Sequence, residues 1–95
     1  MKQPCVYIMT NRPRGTLYVG VTSHVQGRVW QHKHNVIKGF TQKYSLDMLV
    51  WCELHDTMPL AIAREKQIKA GSRQKKIDLV EMFNPKWLDL YDEIL

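Results

Sequence analysis

Apolar and β-branched residues gather in two short runs near the start of the chain, 5–10 (Cys-Val-Tyr-Ile-Met-Thr) and 16–22 (Thr-Leu-Tyr-Val-Gly-Val-Thr), parted by Asn11-Arg12-Pro13-Arg14-Gly15. Two such runs across a turn-rich stretch predict a β-hairpin. Thr22 or Ser23 then opens a helix, with Ser23 and Gln26 at capping-box spacing, and Val25, Val29 and Val36 recur at helical intervals. This helix is expected to run to Lys38 and stop at Gly39, followed by a loop over 40–44 and a third strand over 46–54. Thr57 before Pro59 caps a helix that ends at Ala70 and Gly71, and Ser72 caps another that reaches Phe83. Asn84-Pro85 repeats the cap-plus-proline signature and predicts a last helix carrying Trp87, Leu88, Tyr91 and Ile94. The order ββαβααα describes an α+β fold, a small three-stranded antiparallel sheet flanked by helices.

At 95 residues, 44% hydrophobic and 24% charged, the chain fits one domain over 1–95 and excludes a disordered or low-complexity polymer. No apolar run approaches the length of a membrane span, and Met1-Lys2-Gln3-Pro4 lacks the apolar stretch of a signal peptide. A cytoplasmic protein without a membrane partner is expected. Cys5 and Cys52 sit in strand-like runs and read as reduced core thiols.

Charge is split along the chain. Residues 1–76 hold 13 Lys and Arg against 4 Asp and Glu, whereas residues 77–95 hold 1 Lys against 5 Asp and Glu. A basic body suits a polyanion, most simply nucleic acid, with the acidic end turned away from it. Lys33, Lys38, Lys43, Lys69, Arg73, Lys75 and Lys76 are the basic residues available to follow phosphates.

Several residues stand out for chemistry. With a four-residue hairpin loop, Tyr7 lies directly opposite Tyr18 on one face, and Gly20 leaves space beside that second phenol. Alone, a cross-strand tyrosine pair is ordinary sheet stabilisation. Arg28 and His32 lie one helical turn apart, the histidine within the valine stripe and the arginine at its margin. No carboxylate at helical spacing answers Arg28, whereas a phosphate would. Glu65 shares a helix face with Ala61 and Ile68, and a carboxylate there needs a cation. An ion pair with a neighbouring Lys or Arg meets that need, and so does Mg²⁺, which commonly takes one carboxylate plus water and substrate phosphate. Asn84 is explained by helix capping. Trp30, Trp51 and Trp87, on three elements, read as core rather than a stacking platform.

Cys5-Val6-Tyr7, followed after ten residues by Tyr18-Val19-Gly20, then Arg28, His32, Glu65 and Asn84 in order, resembles the GIY-YIG nuclease superfamily. The phrases LYVGVTS, RVWQHK, AIAREKQIK and NPKWLDLY resemble its bacterial single-domain branch, related to the incision domain of the excision-repair nuclease. Cysteine replaces the family's first glycine, and both isoleucines of its name are valines, changes confined to strand positions.

The resemblance implies hydrolysis of phosphodiester bonds, usually in DNA, with one Mg²⁺ or Mn²⁺ ion and no organic cofactor. It implies Glu65 as the metal ligand, Tyr7 as general base, Tyr18 orienting water or phosphate, and Arg28 clamping a phosphate oxygen. For His32 it implies either phosphate binding or a share in proton transfer. Lys33, Lys43, Lys69 and Asn84 complete the set expected to contact nucleic acid. A different class of function, a nucleic-acid-binding module with little catalysis of its own, is the alternative; the presence of all five site residues favours the enzyme.

Overall fold

The computed structural model describes residues 3–36 and 39–95, and Lys38 lies outside them. Strand β1 (Cys5–Thr10) runs through the middle of a three-stranded sheet of order β2-β1-β3, antiparallel to both β2 (Leu17–Thr22) and β3 (Met48–Leu54). All six residues of β1 are buried, because layers cover both faces of the sheet. Side chains alternate between those faces. Val6 and Ile8 join Val19, Val50 and Trp51 beneath Ala61, Ile68, Ile77, Val80 and Trp87. Tyr7 and Met9 point the other way, into a core with Val29, Leu46 and Leu49.

The first face is covered by α3 (Met58–Ala70) and α4 (Arg73–Phe83), as the capping pattern predicts. Thr57 accepts a hydrogen bond from the Leu60 amide and Ser72 one from the Lys75 amide, each satisfying a donor that the first turn leaves unpaired. Such a cap contributes about 1 kcal/mol. Helix α3 packs along β2, an edge strand, and along β1.

The hairpin register departs from the expectation. Thr10 pairs with Leu17 across a six-residue loop, which sets Tyr7 opposite Gly20 and Tyr18 opposite Met9. Arg14 takes a left-handed φ of 54° in a turn closed by the Gly15 amide on Arg12 O, and Asn11 Oδ1 accepts from the Thr16 amide. Those bonds consume two residues more than a four-residue loop. A shift of two preserves the face, so the tyrosines remain on one side as diagonal neighbours.

The opposite face is covered by α1 (Val25–Lys33), a single turn α2 (Phe40–Lys43), and the end of the chain. His24 caps α1 in place of Thr22 or Ser23: its Nδ1 accepts from the Gly27 amide at 3.2 Å, while Thr22 Oγ1 accepts from the His24 amide. The helix ends at Lys33 rather than Lys38, where Asn35 turns the chain at a φ of 55°, a conformation asparagine tolerates. Val36 is consequently exposed, outside the core stripe. Trp30 is 46% exposed and stacks on His34 with ring centroids 4.1 Å apart, whereas Trp51 and Trp87 are core.

A loop was expected where α2 forms, and a helix where the chain after α4 does not form one. A four-residue helix cannot persist by propensity; α2 is held by buried Thr41, whose carbonyl accepts from the Leu46 amide. Beyond α4 the backbone bonds to β3 instead of to itself, with the Leu90 amide on Leu49 O and Asp89 Oδ1 accepting from the amides of Leu49 and Tyr91. Trp87 sits at a φ of 56°, and one 3₁₀ turn, Tyr91–Glu93, is what remains of the expected helix.

Candidate active site

Gly20 explains how the site begins. A Cβ at this position would lie 2.5 Å from Cζ and Oη of Tyr7, so its absence lets the Tyr7 ring lie across β2 toward the sheet edge. The space foreseen beside Tyr18 is thus occupied by the other phenol. The two rings stand 6.3 Å apart at 48°, and the His32 imidazole faces both, 5.8 Å from Tyr7 and 5.7 Å from Tyr18. Helix periodicity delivers His32, one turn beyond Arg28 and three residues from fully buried Val29.

His32 is buried and bonded at both ring nitrogens: Nε2 to the Tyr7 hydroxyl at 3.1 Å and Nδ1 to Thr41 Oγ1 at 3.1 Å. Burial lowers its pKa from the usual histidine range, and the Arg28 guanidinium lowers it further. The imidazole is therefore neutral near pH 7, one nitrogen donating and the other accepting. With the proton on Nδ1 and given to Thr41, Nε2 accepts from Tyr7. The Tyr7 phenol is pushed well above its ordinary value, first by burial and then by Tyr18, while Arg28 opposes the rise. Tyr7 accordingly holds its proton and needs an acceptor to release it. In that tautomer His32 Nε2, 3.1 Å away, is positioned to accept it.

Glu65 stands on α3 between buried Ala61 and Ile68 along the helix. Its side chain is 14% exposed and meets Lys69 Nζ at 3.2 Å. The same ammonium lies 6.0 Å from the Tyr18 ring centre, which ties the carboxylate to the tyrosine face. Glu65 also acts on the Tyr7 phenol through space, as does Arg28. Of the two ways to satisfy this carboxylate, the ion pair is present.

The other expected residues divide. Lys69 joins the site, and Lys43 lies beside it on α2, 5.5 Å over the Tyr44 ring. Lys33 turns away: its ammonium holds Asp47 O and the Asp89 carboxylate, so the acidic end of the chain packs onto a basic residue. Glu81 likewise takes a bidentate grip from Arg14 at 2.9 Å; with Trp87 Nε1 added, its carboxyl is held down at about 2. The Asp89 pair corrects the expectation for Lys33 alone, since a lysine expected to follow phosphates is held by the acidic end of the chain. Asn84 is buried, its Nδ2 donating to Val50 O and Leu88 O and its Oδ1 accepting from the Leu88 amide. It ends α4 and clamps the chain end to β3 instead of opening a further helix. Cys5 and Cys52 are free thiols, the first buried and the second half-buried.

Two contributors lie in the segment read as a loop. Thr41 holds the second nitrogen of His32, and Phe40 stacks on Tyr18 with centroids 6.3 Å apart at 30°. The strand glycine opposite Tyr7 was the one sequence signal of a close approach.

Sheet order, paired tyrosines, the arginine and histidine one turn apart, and a lone carboxylate at the sheet edge define a GIY-YIG nuclease fold. The family model described as the GIY-YIG catalytic domain matches residues 3–78, and the chain belongs to that family. Nuclease-type cleavage of nucleic acid with a divalent metal goes with the family in general. Among curated relatives, a UPF0213 protein of Staphylococcus saprophyticus is 32% identical over 80 residues, covering 84% of this chain and 96% of its own. A UPF0213 protein of Staphylococcus aureus is 34% identical over 67 residues, covering 70% of this chain and 82% of its own. No solved structure matches the chain.

Proposed function

We propose that this protein is a metal-dependent endonuclease that hydrolyses phosphodiester bonds, with DNA as substrate. The observation that carries the proposal is the contact of Tyr7, Tyr18 and His32 at the sheet edge beside the Glu65–Lys69 pair. Among the described residues no group of three or more His, Cys, Asp or Glu gathers to cage an ion. Glu65, a single half-buried carboxylate, fits the mode in which Mg²⁺ or Mn²⁺ takes one protein oxygen and otherwise water and phosphate. Its present partner, Lys69, is half exposed. A bound ion would supply charge to the scissile phosphate and the leaving oxygen.

The chain's own groups handle the proton. A water aligned by Tyr18 gives its proton to the Tyr7 oxygen as the Tyr7 proton passes to His32 Nε2. The water oxygen attacks phosphorus, and the bond to the leaving sugar oxygen breaks. That oxygen takes a proton from bulk water, to which His32 afterwards returns its own. The Thr41 hydroxyl accepts from Nδ1 and holds the imidazole in the receptive tautomer. Arg28, exposed at the rim, clamps a phosphate oxygen as charge grows there. Lys43 and Lys69 hold flanking phosphates. The chain 1–95 acts as one unit; among the described residues no helix is long and apolar enough to cross a membrane, and we place the protein in the cytoplasm.

Glu65→Gln is the decisive variant. It is expected to abolish Mg²⁺-dependent cleavage of a labelled DNA panel while leaving affinity intact or slightly raised, because a negative charge leaves the site. Cleavage at the parent rate would remove Glu65 from the metal role. Tight binding by a parent protein that cleaves nothing with any divalent metal would favour the binding-module alternative.

A further inference from the structure

Three aromatic rings in succession leave the site along α2. Tyr18, which faces His32, is stacked by Phe40, and Phe40 meets Tyr44 with centroids 4.8 Å apart at 49°. Phe40 is 48% exposed and Tyr44 41%, and neither belongs to the two cores of the fold. Cations border the row: Lys69 beside Tyr18 and Lys43 over Tyr44. Exposed rings interleaved with ammonium groups match a nucleotide chain whose bases are free to stack while its phosphates meet the lysines. A paired duplex offers no free base face, since its bases are already stacked inside. The row shares Tyr18 with the candidate site, so a base seated on Phe40 lies one ring away from the residue that faces His32.

We propose that the Tyr18–Phe40–Tyr44 row is a stacking platform for unpaired nucleotides, and that this protein acts where DNA beside the scissile phosphate is single-stranded. The proposal rests on the nuclease reading above and names its substrate class. Phe40 and Tyr44 set specificity rather than chemistry. Thr41, between them on α2, links the platform to His32 through its hydroxyl at 3.1 Å.

The test measures binding in EDTA, where cleavage cannot intervene. Labelled DNA of one length is presented at fixed salt as a single strand, a blunt duplex and a duplex with an unpaired end. The parent is expected to bind the two unpaired forms at least ten-fold more tightly than the blunt duplex. Tyr44→Ala and Phe40→Leu should each lose at least about five-fold on the unpaired forms, the low end for one stacked base, and nothing on the duplex. A 2-aminopurine base in the single strand should change fluorescence on binding to the parent and not to the double variant. Phe83→Ala, an exposed ring at the β3 side of the sheet, should leave every value unchanged. Equal affinity for single strand and duplex, or equal losses on both in Tyr44→Ala, overturns the proposal. Tyr44 is half exposed and outside the helix, so its variant decides the matter even if Phe40→Leu does not fold. Absent cleavage with an intact preference for unpaired DNA would break the nuclease reading alone.

Discussion

The two faces of the sheet are built from alternate residues of the same strand and do different work. Val6 and Ile8 enter a dry core roofed by α3 and α4, where packing alone decides the outcome. Tyr7 enters a core that also contains His32 and Thr41, with exposed aromatic rings at its margin. Every described buried side-chain polar atom has a partner, so the polar groups of the second face are hydrogen-bonded rather than left unpaired. What that face holds is the candidate site, a phenol and an imidazole joined by a hydrogen bond of 3.1 Å. The difference teaches that a strand with period two can place a packing core on one face and the candidate site on the other, residue by residue.

Substitutions should separate the faces sharply. Arg28→Ala should lower both affinity and turnover, since it meets phosphate in ground and transition states alike; fluorescence anisotropy and single-turnover cleavage measure the two. Ile8→Ala, on the dry face, should cost about 2–5 kcal/mol in a denaturant titration. The fraction that remains folded should cleave at the parent rate. Gly20→Ala mixes the two faces. The added methyl at 2.5 Å must displace the Tyr7 ring, so cleavage should fall by at least about ten-fold. A parent-like rate in that variant would separate the Tyr7 position from catalysis.

Smaller effects refine the picture. Thr41→Val removes the partner of His32 Nδ1 and should lower the rate by about ten-fold, with the acid limb of the pH–rate profile displaced. Thr41→Ser should restore both. Stability should also depend on pH through this face. His32 has a folded pKa below the unfolded value of about 6.5, so its contribution is complete above that pH and is lost as pH falls through the folded value. Tyr7 has a folded pKa above the unfolded value of about 10, so its contribution is complete below that pH and is lost as pH rises further. Thermal unfolding across pH checks both signs, and Tyr7→Phe should remove the alkaline limb only.

The sequence carried the repeating parts of this design well. Capping residues Thr57 and Ser72 located two helices, and β-branched runs located the strands. Order and spacing of Tyr7, Tyr18, Arg28, His32 and Glu65 pointed to the site before any geometry. What stayed hidden depends on contacts between distant segments. The hairpin register turns on Asn11 and Arg14 within the loop, where composition shows a turn but not its length. The last helix failed because Asn84 and Asp89 use their side chains on β3 and the chain end, a competition no local pattern records. Phe40 and Thr41 were hidden by the brevity of α2, one turn with no periodicity to detect. The partner of Lys33, fifty-six positions away at Asp89, was equally beyond reach of helical spacing.

Tyr7→Phe tests the account most directly, because it deletes one hydroxyl and leaves the ring that packs against Tyr18 and His32. Single-turnover cleavage of single-stranded DNA and denaturant stability should be measured on the same preparations. The expected result is a loss of at least 100-fold in rate, the scale of general-base catalysis, with stability lowered by no more than about 1–3 kcal/mol for the unpaired imidazole. A variant that cleaves within a few-fold of the parent would contradict the claim that the Tyr7–His32 pair moves the proton.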